Sequence, residues 1–121
     1  MVLGVVLSRA QGKYFTYIIQ WMVGGTRGGP NRARIIKALS ENPRNANQLS
    51  QDLKLDYSTI RYHLEVLEKN GLVRSIGEDY GKMYFPSDNL LNNFEFFEEI
   101  WEKVGKKVKN DGAVEENNET E

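Results

Sequence analysis

The chain has 121 residues, 40% of them apolar, with no cysteine and a single histidine, His63. That is the length of one small domain; it excludes disulfides, thiolate metal sites, cysteine nucleophiles and a multi-histidine metal site within one chain. A net charge of −1 hides an asymmetry, because residues 26–86 carry ten Lys or Arg against seven Asp or Glu, whereas residues 87–121 carry four Lys against ten acids, so a polyanionic partner suits only the middle segment.

Residues 1–28 form an N-terminal aromatic segment. Its runs MVLGVVL and KYFTYIIQWMVGG are interrupted by Arg9 and Lys13 and fall short of a membrane span. The positive charges follow the first apolar run rather than precede it, against the order of a secretory signal, so a cytoplasmic chain is expected. The segment reads either as two β-rich strands or as a helix over residues 14–23 with Tyr14, Ile18 and Met22 on one face; helix is the reading taken. GGTRGGPN, Gly24 to Asn31, breaks the chain.

A first helix then starts near Pro30, buries Ile35, Ile36 and Leu39, and stops at Glu41-Asn42-Pro43. A second runs from Asn47, read as its N-cap, through Leu49 and Leu53. The third, about residues 57–70, has Asp56 as N-cap, Ile60, Leu64 and Leu67 as its inner seam, and Asn70-Gly71 as a left-handed stop. LVRSI, the turn GEDYG and KMYF read as a β-hairpin. Residues 87–109 give a long helix whose Leu90, Phe94, Phe97, Trp101, Val104 and Val108 step as a heptad seam. Residues 110–121 carry five acids, no base and almost nothing to bury, the composition of a disordered tail.

Three helices followed by a hairpin predict a mainly α fold, a winged helix-turn-helix over residues 29–86 with a long C-terminal dimerisation helix. In such a motif the third helix is offered to a DNA major groove by its N-terminal residues. Tyr57, Ser58, Arg61 and Tyr62 fall opposite its apolar seam, and Arg61 is the residue type that bonds guanine bidentately.

The stretch PNRARIIKALSENPRNANQLSQDLKLDYSTIRYHLEVLEKNGLV resembles the winged-helix domain of archaeal regulators of the ArsR-like class. The carrying features are the Asn-Gln-Leu opening of the second helix, Asp-Tyr-Ser-Thr-Ile-Arg-Tyr-His-Leu, and the closing Leu-Glu-Lys-Asn-Gly-Leu-Val. The resemblance implies a transcriptional regulator that binds double-stranded DNA as a homodimer. By position it implies Tyr57, Ser58, Thr59, Arg61 and Tyr62 as base readers, and Asn45, Asn47 and Gln48 as phosphate contacts. Lys82 and Tyr84 are expected on the outward side of the wing. Three departures stand out. The cysteines or clustered histidines of metal-sensing members are missing, so neither metal nor cofactor is expected. Lys54 stands where relatives carry glycine, at a cost of about 1 kcal/mol if left-handed. The wing tip, Glu78-Asp79, would be repelled by phosphate.

The apolar face of the C-terminal helix, with Tyr14, Ile18 and Trp21, is read as the dimer interface, because a monomer would expose too much apolar surface. His63 is read as a packing residue with one hydrogen bond. For Arg32, Arg34 and Lys37 a solvated face and a phosphate contact both stay open. The competing function is a protein-interaction module of a transcription or repair assembly, and no constellation suits an enzyme.

Overall fold

The computed structural model describes residues 13–104. The first of the two alternative strands, within residues 1–12, the seam residue Val108 and the acidic tail lie outside the described residues.

The first element, α1, spans residues 13–24 and is helical, not stranded, with its last turn, Gln20–Gly24, wound as a π-helix. Phe15, Ile19, Met22 and Val23 are its buried side, and Tyr14, Tyr17 and Trp21 remain exposed. α1 meets α2 (Gly29–Glu41) at very close range: a Cβ on Gly29 would lie 2.6 Å from the Val23 carbonyl oxygen, so only glycine permits this approach. Pro30 stands in the first turn of α2, where its missing N–H costs nothing. The Arg44 guanidinium then donates to the Ala38 and Asn42 carbonyls and pairs with Asp52 at 2.9 Å, closing the turn after α2.

Helix α3 (Ala46–Leu53) is capped by Asn45, two residues before the expected Asn47. Asn45 Oδ1 accepts from Gln48 N at 2.8 Å and Gln48 Oε1 accepts from Asn45 N at 2.9 Å, a reciprocal capping box. Two nearby asparagines offered a cap; only Asn45 has Gln three residues on. The helix ends at Lys54, which is left-handed at φ 56°, as the sequence predicts. α4 (Tyr57–Lys69) follows, capped by Asp56 and stopped by Gly71 at φ 78°. Ile60, Leu64 and Leu67 are fully buried.

The wing is the antiparallel pair β1 (Val73–Ile76) and β2 (Met83–Pro86), with Arg74 opposite Phe85 and Ser75 opposite Tyr84. Arg44 adds a single bridge on the far side of β2, with Tyr84 N donating to Arg44 O at 2.9 Å. The hairpin is therefore tied to the turn between α2 and α3.

Ser87 starts the C-terminal part: its hydroxyl accepts from Leu90 N at 3.1 Å and donates to Gly71 O at 2.7 Å, linking it to the end of α4. The single long helix expected here is interrupted. α5 (Asp88–Asn92) ends at Asn93, and α6 resumes over residues 94–104. The seam also folds back on its own chain. Leu90 and Phe97 are fully buried, Ile100 nearly so, and Phe94, Trp101 and Val104 are partly covered. Leu90 and Phe97 thus have no surface left for a partner, which corrects their reading as dimer contacts. One hydrophobic cluster joins α1, the three motif helices, the wing and α6. Burying these side chains against one another removes the apolar exposure that had argued for a partner along the whole seam. The element order α2-α3-α4-β1-β2 is a winged helix-turn-helix.

Candidate nucleic-acid interface

Helix α4 is fixed from behind by its apolar seam and presents Ser58, Tyr62, Glu65, Glu68 and Lys69 to solvent, with Thr59 and Arg61 half-buried at its flanks. Tyr62 is 60% exposed, a large side chain held out from the body. Three of the residues expected to read bases are already engaged. The Ser58 hydroxyl donates to the Asp56 carboxylate, which also accepts from Ser58 N at 3.2 Å. That pair chiefly holds the Asp56 carboxyl below its ordinary pKa. Arg61 donates to the Tyr57 hydroxyl at 3.2 Å and lies 5.9 Å over the Tyr57 ring, and its Nε is buried without a partner. The Tyr57 bond raises the Arg61 pKa further. Tyr57 is consequently a half-buried support for Arg61, packed against the core, rather than a free reader. An orphaned Nε costs stability in the free protein, and turning Arg61 outward would relieve it.

The opening of α3 adds a second polar patch. Asn47 and Gln48 are exposed, and Asn45 holds the cap through its side-chain oxygen, leaving the amide N–H groups of Asn45 and Gln48 unused by the capping box. Gln51, one turn after Asn47, is also exposed on this face. Sequence reasoning passed over it, although its i+4 spacing from Asn47 was readable.

The wing differs from expectation at Tyr84. The side chain is 4% exposed and burial pushes its phenol pKa up. It cannot be an outward contact, because its side chain packs in the hydrophobic core. Lys82 is half-exposed. The outward cation that was missed is Arg74, exposed on β1 and 5.9 Å over the Phe85 ring. The tip, Glu78-Asp79-Tyr80, is fully open to solvent.

The basic residues of α2 are all used internally. Lys37 lies 3.7 Å from Glu98 of α6. Arg34 donates to Leu53 O at 2.8 Å and to Asn31 at 3.2 Å. Arg32 is 5% exposed: its Nε donates to Met22 O at 2.8 Å, a second nitrogen to the Thr26 hydroxyl, and a third lies 3.3 Å from His63 Nδ1. His63 is buried with that one partner, as expected. Burial, and secondly the Arg32 charge, lower its pKa, so it is neutral and accepts from Arg32.

Of the side chains expected at a dimer face, Tyr14 and Trp21 are exposed, Ile18, Phe94, Trp101 and Val104 are partly buried, and Leu90 and Phe97 are closed. Among the described residues no helix is long and apolar enough to cross a membrane, and no group of three or more His, Asp or Glu is placed to hold a metal ion.

Comparison with known proteins agrees with this architecture. The HlyU regulator of Vibrio cholerae superposes with a TM-score of 0.56 at 21% identity, over 74% of this chain and 92% of that one. An ArsR-like transcriptional regulator from a Rhodococcus species gives 0.53 at 20% identity, over 87% and 94%. A homodimeric winged helix-turn-helix DNA-binding domain from Mycobacterium bovis, described as a possible ArsR-family regulator, gives 0.52 at 16% identity, over 93% and 88%. At these identities the likeness is one of fold. No curated protein matches the chain. The family model described as bacterial regulatory protein, arsR family, matches residues 29–75, from the start of α2 into β1. The matched part is the helix-turn-helix at the centre of this chain, α2 to α4, with the start of the wing.

Proposed function

We propose that the chain is a transcriptional regulator that binds double-stranded DNA sequence-specifically as a homodimer in the cytoplasm, with α4 in the major groove. The observation that carries this reading is the outward face of α4 within an arsR-family domain: Ser58, Tyr62, Glu65 and Lys69 in solvent, Arg61 poised at the edge, and an apolar seam fixing the helix from behind. Arg61 leaves Tyr57 to meet a guanine edge, Tyr62 and Thr59 pack against bases or thymine methyl groups, and Ser58 stays on its cap until displaced. Asn47, Gln48 and Gln51 with Asn45 meet the phosphate backbone, and Arg74 and Lys82 on the wing add cationic contacts. These last contacts fix register rather than sequence.

The dimer forms through the exposed stripe of α1, Tyr14, Tyr17 and Trp21, continued by Ile18 and the still-open edges of Trp101 and Val104. Three large aromatics on one exposed helix face are the support for it. The M. bovis domain is described as homodimeric. Arg61→Ala tests the readout: on a selected duplex it weakens binding by about 1–3 kcal/mol while changing affinity for random duplex far less. Equal losses on both would make Arg61 a phosphate contact and remove it from base reading.

A second reading, a protein-interaction module, is favoured by one feature. The wing exposes Ile76 and Tyr80 beside Glu78 and Asp79, an apolar and acidic tip unsuited to phosphate. Tyr80→Ala together with Ile76→Ser leaves duplex affinity unchanged on the DNA reading, as measured by anisotropy.

A further inference from the structure

The flank of α4 that carries Tyr62 and His63 borders a groove against α1, and Arg32 also lines it. All three partners of Arg32, the Met22 carbonyl, the Thr26 hydroxyl and His63, are neutral. Among the described residues no carboxylate lies within ion-pair distance of it; the two ion pairs there use Lys37 and Arg44. A guanidinium has five N–H groups, so two of those on Arg32 are left over. Withdrawing a cation from water without a counter-ion is unfavourable, and burial accordingly lowers the Arg32 pKa.

The space above it measures about 690 Å³, within the range of small-molecule sites. Trp21 of α1, 59% exposed, and Tyr62 of α4 both line it, together with Met22, Val66 and Arg27. Two aromatic side chains lining the same groove as a buried cation without a counter-ion suit a flat ring carrying one negative charge. Gly28 keeps the floor open: a Cβ there would fall 2.7 Å from the Arg32 guanidinium and 2.8 Å from the His63 ring.

We propose that this groove binds a small aromatic carboxylate, its ring between Trp21 and Tyr62 and its carboxylate on Arg32. Tyr62 and His63 both belong to α4, so the ligand touches the recognition helix directly and biases its position. That coupling rests on the DNA-binding reading, whereas the binding itself does not. Trp21 is shared with the proposed dimer face.

Titrating the full chain with 2-naphthoate in the absence of DNA tests the site, followed by calorimetry and by NMR of the Trp21 indole N–H and the His63 ring. One ligand per chain is expected, with both resonances shifting and the neutral 2-naphthamide binding at least about tenfold more weakly. Arg32→Gln abolishes the preference for the acid over the amide. Because that variant also loses internal bonds, Trp21→Ala serves as the second: its side chain lies outside the core, and it weakens naphthoate about tenfold in a chain that keeps its helical circular dichroism. Equal binding of acid and amide to the unaltered chain would overturn the proposal, as would no saturable shift of Trp21 and His63 at millimolar naphthoate.

Discussion

The two ends of the described chain are both aromatic helices, yet they spend their aromatics in opposite ways. α6 turns Phe97 and Ile100 inward, with Phe97 5.2 Å from Phe94 and 6.3 Å from Trp101. α1 buries Phe15 and Ile19 and holds Tyr14, Tyr17 and Trp21 in solvent. The difference lies in the residue types. Phe has no polar atom to satisfy and goes to the core, while Tyr and Trp can leave a polar edge in water. A periodic apolar seam tells that a helix has something to cover, not whether its own chain or another covers it.

The largest effect that tests this contrast is Phe97→Ala. It is expected to cost about 3–5 kcal/mol in denaturant unfolding, because Phe97 is fully enclosed. Tyr17→Ala on α1 is expected to stay within about 0.5 kcal/mol in the same assay and instead to raise the dimer dissociation constant about tenfold in sedimentation. A reversed outcome would exchange the roles of the two helices. Next in size is Gly29→Ala, which sets a Cβ 2.6 Å from the Val23 carbonyl oxygen and is expected to cost about 1–3 kcal/mol by separating α1 from α2. Lys54→Gly, at φ 56°, is the smallest, a gain of about 1 kcal/mol.

A pH titration sharpens the comparison from a different side, since His63 and Arg32 join α4 to the end of α1. The folded-state pKa of His63 lies below its ordinary value of 6.5. Above that value His63 is neutral in both states and contributes no pH dependence. As pH falls through 6.5 the unfolded chain takes up a proton that the folded chain refuses, so stability drops until the lowered folded value is passed. Melting temperature should therefore fall on mild acidification, and His63→Gln should flatten that part of the curve.

How much of this was legible in the sequence depended on whether the deciding interaction was local. α4 could be read completely, because its cap at Asp56, its seam and its Gly71 stop all lie within it. The start of α3 was misplaced by two residues because two asparagines compete, and the reciprocal Gln48 was the clue. Tyr84 is buried in the core, and its strand bridges Arg44, forty residues away, a pairing no local pattern announces. Arg32 likewise looked like part of a charged surface and proved to be a buried tie between three elements. The break at Asn93 was hidden because the apolar stepping continues across it. The base-reading candidates came out mixed for the same reason: Tyr62 is free, whereas Ser58, Tyr57 and Arg61 are engaged with neighbours that only the folded helix brings together.

The most direct test of the central claim is fluorescence anisotropy of the purified chain on a library of duplexes, including DNA upstream of its own gene, over a series of salt concentrations. Selective binding by a dimer is expected, with affinity falling steeply as salt rises and the slope reporting the phosphates engaged. A folded chain that binds no duplex at low salt would contradict it and would turn the exposed face of α4 toward a protein partner.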